Sequence, residues 1–160
     1  YIIQRYIKTD TRLLDANSGF EPITFDEGTF QRWKLILKGP WRFALDTLSE
    51  ETQVKRMMQI LHTVPNRKKQ VYCLIGNEPI ESCYYRTQRI IEWNGEPYCQ
   101  PFTPLNALKR DNFKIAYNWT PQLLKDFTRY FNRHIWRSTS ISNYKPRLNE
   151  KPPLAIIEKL

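Results

Sequence analysis

The sequence is poor in the residues that most often hold metals or form disulfides. Its 160 residues include three cysteines and two histidines. Cys73, Cys83 and Cys99 are separated by 9 and 15 residues, and these spacings match no compact metal motif, which argues against a zinc site. The odd number of cysteines and the lack of a secretory signal pattern predict a reducing compartment, which we expect to be the cytoplasm.

Several other motifs are also missing. No apolar run approaches 18 residues, so we expect no membrane-spanning segment. The sequence has no glycine-rich phosphate loop, no nucleophile elbow and no paired histidines at zinc-ligand spacing. His62 and His134 are therefore expected to be structural or surface residues rather than general bases.

Hydrophobic residues make up 41% of the chain and aromatic residues 14%, which suits a folded domain with a core. The formal net charge of +9 favours anionic partners such as nucleic acid, phosphates or acidic surfaces. The cations are scattered, which is equally typical of a solvated basic surface. The densest runs are 67–69 and the tail cations Lys145, Arg147 and Lys151.

Strand-like and helix-like segments alternate along the chain. Short apolar runs predict strands at Tyr1–Ile7, Arg12–Leu14, Trp41–Leu45, Val71–Ile75 and Pro97–Phe102. Apolar positions three and four apart predict helices over about 24–37, 49–64, 79–93 and 120–137; the first would begin with a capping box, Thr24-x-x-Glu27. This alternation is typical of βαβ units and predicts an α/β fold with parallel strands.

The number of units is too small for a complete eight-stranded barrel, so we expect a partial (β/α) barrel or a small open sheet. The predicted barrel domain covers residues 1–144. Residues 145–160 form a proline-rich basic tail that either wraps around the surface or extends from it.

Ligands bind at the carboxyl ends of parallel strands. Polar residues follow the predicted strands at 15–17, 46–47, 76–78 and 100–103. Asp46 has two interpretations: its carboxylate could accept hydrogen bonds from a sugar diol, or it could assist the start of the next helix. Gly76 permits a tight turn and the close approach of a flat ligand. Residues 103–118 form a loop long enough to suggest function.

Aromatic and basic residues also interleave near the last helix, at Trp119, Tyr130, Arg133, Trp136 and Arg137. Such a pattern could stack and neutralise nucleic acid. A packed amphipathic helix with a cationic outer face would produce the same pattern.

The order of these motifs resembles that of radical S-adenosylmethionine (radical SAM) enzymes. The stretches VYCLIGNEPIESCYYR, from Val71, and IIEWNGEPYCQPF, from Ile90, are similar to the fifth strand, fifth helix and sixth strand of that family. WRFALD, from Trp41, is similar to the fourth strand. Leu105-Asn-Ala-Leu resembles the loop after the sixth strand, and the segments beginning at Asn118 and Arg129 resemble the closing helix. The resemblance covers about residues 10–145.

The resemblance implies a partial six-stranded barrel. Family members bind a [4Fe-4S] cluster through Cys-x3-Cys-x2-Cys and cleave S-adenosylmethionine reductively to a 5′-deoxyadenosyl radical. By position, Asp46 matches the residue that contacts the ribose. The residues that match the adenine-facing positions are Leu74, Ile75, Gly76, Gln100 and Pro101.

Two family features are absent from this chain: the three-cysteine motif and the Gly-Gly-Glu segment that holds the methionine amine. Glu78 also lies two residues after Gly76, closer than in the family pattern. We therefore expect the C-terminal part of a radical SAM enzyme, which depends on an N-terminal barrel segment or partner subunit for catalysis. Two alternatives remain: a non-catalytic basic module that binds nucleic acid or a partner protein, and a structural subunit of a larger assembly.

Overall fold

The computed structural model describes residues 1–16, 18–105, 116–147, 151–155 and 157. It contains a sheet of three parallel strands, β1 (Trp41–Ala44), β2 (Lys69–Ile75) and β3 (Glu96–Pro101), in the order β1-β2-β3. Strands β1 and β2 pair in the register that places Trp41 beside Lys69. The predicted α/β class is confirmed.

Within the described residues, five α-helices accompany the sheet: α1 (Ile2–Lys8), α2 (Glu27–Lys34), α3 (Glu51–Ile60), α4 (Ile80–Glu92) and α5 (Pro121–Asn132). The strand predicted over Tyr1–Ile7 is wrong, because this segment is α1. Its half-buried residues, Ile3 and Tyr6, are three positions apart, which places them on one side of a helix. The strand predicted at Arg12–Leu14 is reduced to a single parallel bridge between Leu13 and Leu37.

The helix starts follow ordinary capping chemistry. Helix α2 does not begin with the predicted Thr24 box; Asp26 is its N-cap, and the carboxylate accepts a hydrogen bond from the Thr29 N–H at 2.6 Å. Helix α5 begins as predicted, with Pro121 in its first turn and the Thr120 hydroxyl accepting from the Leu123 N–H.

The chain divides into two compact units. The first contains residues 1–72 and 89–96. Its core includes an aromatic group centred on Phe20, whose ring lies 5.2 to 5.8 Å from four neighbouring rings, those of Phe25, Trp33, Trp41 and Phe43. Helix α3 contributes Val54, Met57 and Met58 to this core.

The second unit contains residues 73–88 and 97–160. Its buried residues include Phe127 and Phe131 from α5, whose rings lie 4.8 Å apart. Leu154, from the tail, is also fully buried. At least this part of the tail is packed into the second unit.

The two faces of the sheet are covered to different degrees. Along β1 and β2, buried residues alternate with half-exposed ones. Along β3, the buried Pro97 and Cys99 alternate with the exposed Tyr98 and Gln100. Alternate residues of a strand point to opposite faces, so one face is buried and the other is partly open. We call the latter the open face.

Candidate functional site

Asp46, the predicted ribose contact, lies in the first unit two residues after the end of β1 and is half-buried. The following helical turn is capped by its neighbours: the Thr47 side chain and Glu50 form a capping box. Glu50 Oε2 also accepts a hydrogen bond from the Asp46 N–H at 2.7 Å. The helix start thus uses the Asp46 backbone, and Thr47 supplies the capping side chain.

Leu74 and Ile75 end β2 in the second unit, and Gly76 follows them. The Ile75 side chain is fully buried, and its carbonyl accepts a hydrogen bond from the Phe102 N–H at 2.8 Å. Gly76 has φ +89°, a conformation that favours glycine. A Cβ added at Gly76 would lie 3.1 Å from Leu124 Cδ2. The glycine therefore serves both a turn and the packing of α5.

Gln100 and Pro101 are exposed at the carboxyl end of β3. The backbone just before them is fixed by an asparagine that the sequence does not mark in any way. Asn132, the last residue of α5, accepts from the Cys99 N–H at 2.7 Å and donates to the Cys99 carbonyl at 2.9 Å. Since both amide groups are used, Asn132 occupies one backbone edge of β3 as a further strand would.

The most unusual feature of the second unit is a buried arginine beside β2. Arg86, on α4, has no exposed surface. Its guanidinium donates to the Leu74 carbonyl at 2.9 Å and lies 3.0 Å from a carboxylate oxygen of Glu78. It also lies 3.4 Å from the sulfurs of Cys73 and Cys83. We call this group the Arg86 cluster.

A signal for the Arg86 cluster is present in the sequence. Cys83, Arg86, Thr87 and Ile90 stand at i, i+3, i+4 and i+7, which is one stripe of α4. An arginine in an otherwise apolar stripe predicts a buried charge, which requires a partner. Glu78 is that partner.

The thiols of Cys83 and Cys99 are protonated at neutral pH. Burial raises the pKa of Cys83, and it raises the pKa of Cys99 well above its ordinary value; the charge of Arg86 opposes both shifts and does not overcome them. Since the thiolate is the nucleophilic and metal-binding form, the burial makes these cysteines structural.

The three cysteines also do not fit an iron–sulfur cluster. A cluster needs thiolate ligands around an open volume, whereas here two of the sulfurs contact a guanidinium. Among the residues that the structure describes, no group of three or more metal-ligating side chains could hold a metal ion.

A groove of about 460 Å³ lies on the open face within the first unit. Arg42 and Ala44 of β1 and Tyr72 of β2 line one side, and Phe20 and Glu50 line another. Arg42 is held by hydrogen bonds to Gln70 and Asp15. The volume suits a small organic molecule, and the lining offers aromatic surface together with charges of both signs.

The aromatic and basic residues near α5 divide into two kinds: Trp119 and Tyr130 are structural, whereas Arg133 and Arg137 are exposed. Trp119 and Tyr130 are buried; the Trp119 ring nitrogen donates to the Glu78 carbonyl at 2.8 Å, and the Tyr130 hydroxyl donates to the Thr139 carbonyl. The Arg137 guanidinium lies 5.3 Å from the Trp136 ring. The functional loop is predicted over residues 103–118, and its residues 106–115 lie outside the described part of the chain.

In the described part of the chain, no helix is long and apolar enough to cross a membrane. No protein-family model, curated protein or solved structure matches the chain. The assignment of a function therefore rests on the residues and their geometry.

Proposed function

We propose that the chain is the C-terminal part of a radical SAM-type enzyme and contributes the adenosine-facing strands of a partial (β/α) barrel. The open face of the sheet carries this proposal. Parallel sheets normally have both faces covered, whereas a barrel wall has helices outside and its inner face towards the lumen. The alternation of buried and half-exposed residues in β1 and β2 is what such a wall would show.

The residues at the strand ends offer groups that could contact an adenosine. Asp46 could accept from the ribose hydroxyls, and the exposed Gln100 and Pro101 could lie along the adenine edge. Leu124 covers the α-carbon of Gly76. An adenine ring at this position would therefore contact the peptide groups beside Gly76 and not its α-carbon. When bound in such enzymes, S-adenosylmethionine supplies the carbon radical.

In this proposal, the radical chemistry depends on iron–sulfur ligands from outside these 160 residues. Because the cysteines of this chain do not fit a [4Fe-4S] cluster, an N-terminal barrel segment or a partner subunit would have to supply the ligands. On this account the 160 residues bind and orient adenosine and do not perform the radical chemistry alone.

The test is anaerobic reconstitution of the chain with iron and sulfide, followed by iron analysis and visible absorption. We expect well under one cluster per chain, and the same result for the Cys73→Ala variant. A stoichiometric cluster that this substitution removes would overturn the proposal. The gene supplies a second test, because no Cys-x3-Cys-x2-Cys within about 100 residues upstream would remove the version of the proposal in which an N-terminal segment of the same chain supplies the ligands.

A further inference from the structure

The amino ends of β1 and β2 carry two grooves that the proposed function does not use. Both lie within the first unit, and each has a volume of about 260 Å³. The segment 66–70, which leads into β2, lines both of them. Asn66 and Lys69 line the first groove, and Arg67, Lys68 and Gln70 line the second.

Lys69 is the central residue of the first groove. It is only 3% exposed, and burial lowers its pKa. In the part of the chain that the structure describes, no carboxylate lies within 4.0 Å of its ammonium group and no hydrogen bond involves that group. Buried lysines are almost always paired. The Lys69 ammonium is not among the fully buried polar atoms that lack a partner, so it reaches the groove, where it can contact an anion from outside the chain.

The other walls of the first groove suit a nucleotide. Lys55 and His62 are exposed and add positive or titratable groups, and Trp93 adds an aromatic ring. The Arg89 guanidinium lies 5.4 Å from the Trp93 ring centroid and is held by ion pairs to Glu51 and Glu92. A tryptophan beside cationic groups is the arrangement on which nucleic-acid bases stack.

The second groove extends the positive surface beyond segment 66–70. Its lining includes Lys38, Arg67 and Lys68, with Glu96 as its one acidic side chain. The Lys68 ammonium donates to the Lys38 carbonyl at 3.0 Å, which holds the side chain across the groove. None of these three cations has a carboxylate within 4.0 Å among the described residues.

We propose that the amino edge of β1 and β2 binds single-stranded nucleic acid. Lys69 and Lys55 contact one phosphate, a base stacks on Trp93, and the strand crosses segment 66–70 so that later phosphates contact Arg67, Lys68 and Lys38. A mononucleotide shares the phosphate and base chemistry but would fill only the first groove. Because the cations continue into the second groove, the surface favours a polymer.

The experiment is fluorescence anisotropy with a labelled oligothymidylate of about twelve nucleotides, at about 50 and 200 mM salt. We expect binding that weakens steeply with salt and quenches tryptophan fluorescence, with the quenching reduced in Trp93→Leu. Lys69→Met removes the charge at a buried position while keeping an apolar chain, and we expect it to lower the affinity roughly five- to tenfold. Arg67→Gln/Lys68→Gln should also reduce the salt slope, by about 1.4 for two lost phosphate contacts.

Trp93→Leu is expected to lower the affinity at least about fivefold without changing the salt slope. Lys125→Gln, at an exposed position of α5, is the matched control and should bind as the unsubstituted chain does. The proposal is overturned by an absence of binding at about 50 mM salt, by equal losses in the control and the Lys69 variant, or by thymidine monophosphate binding as tightly as the oligomer. None of these outcomes bears on adenosine binding at the carboxyl ends of the strands.

Discussion

Arg86 is the residue whose surroundings the fold constrains most. A guanidinium keeps its charge in proteins, so a fully buried one requires a carboxylate and carbonyl oxygens in fixed positions. Glu78 and Leu74 provide them, and both lie at the carboxyl end of β2. The Arg86 cluster therefore holds the strand end next to Gly76 in one conformation.

The first prediction concerns the ion pair. Glu78→Gln removes the charge opposite a buried arginine, and we expect it to lower the free energy of unfolding by about 3 kcal/mol. Glu81→Gln, at an exposed position one helical turn away, should cost less than about 1 kcal/mol. Urea unfolding followed by circular dichroism measures both. Similar small losses for the two variants would contradict the structural role of Glu78.

The second prediction concerns the buried thiols. Since burial raises the pKa of Cys83 and Cys99, the unfolded chain loses these protons first as the pH rises. An unfolded cysteine titrates near about pH 8.5, so the free energy of unfolding should fall above that pH, by up to about 1.4 kcal/mol per unit for each thiol. The pKa of Lys69 is lowered in the folded chain. Its titration therefore raises the free energy of unfolding as the pH rises towards about 10.

Urea titrations at about pH 7.5 and 9.5 separate these contributions. The variant Cys83→Ala/Cys99→Ala should lose less stability between the two pH values than the unsubstituted chain does. An equal loss in both proteins would show that the thiols are not the groups responsible.

At the scale of elements, the turn from β2 to α4 controls the strand end that the proposed site uses. Gly76 has a left-handed conformation, and its α-carbon faces Leu124 of α5. The turn is therefore fixed both by backbone geometry and by packing within the second unit.

The third prediction follows from this turn. Gly76→Ala should lower the free energy of unfolding by about 1–3 kcal/mol, because the alanine is strained at positive φ and its Cβ meets Leu124. Gly28→Ala, in α2, meets only side-chain atoms at 3.4 Å or more and should stabilise the protein by up to about 1 kcal/mol. Thermal unfolding of the two variants distinguishes these effects; a neutral Gly76→Ala would contradict the account.

The periodic spacing of apolar residues predicts those strands and helices that bury one side and expose the other. Strands β2 and β3 and helices α4 and α5 begin and end within a few residues of their predicted bounds. The spacing of apolar residues does not distinguish a strand from a helix at Tyr1–Ile7, because a run of seven residues fits a strand and a two-turn helix equally well. Asn132 could not be predicted either, because its role depends on where α5 lies beside β3 in the folded unit.

In the candidate site too, the sequence predicts positions along the chain but not the contacts between distant residues. The resemblance placed Asp46, Gly76 and Gln100 at strand ends, where the structure also has them. Periodicity did not reveal that Leu124 covers Gly76, because that contact joins residues far apart in the chain. Adenosine binding at these residues stays a prediction.

At the scale of the whole molecule, the tail belongs to the second unit. Leu154 is fully buried, whereas Leu105 is fully exposed. Leu154→Ala should lower the free energy of unfolding by about 2–5 kcal/mol, and Leu105→Ala should change it by less than about 0.5 kcal/mol. Matching urea curves for the two variants would show that the tail does not stabilise the fold.

The open face also bears on the alternative in which the chain is a structural subunit. A partly exposed sheet face is a surface that another protein segment could cover. Sedimentation velocity distinguishes the alternatives: the proposed function predicts a monomer when the chain is studied alone, whereas a stable oligomer would favour the structural alternative.

The most direct test of the proposed function is a titration of the ¹⁵N-labelled chain with S-adenosylmethionine, followed by two-dimensional NMR. The account predicts saturable shifts at the amides of Asp46, Gly76 and Gln100, the same shifts with 5′-deoxyadenosine, and their loss in Asp46→Ala. The account would be contradicted by the absence of any shift at saturating ligand, or by shifts confined to residues away from the carboxyl ends of the strands.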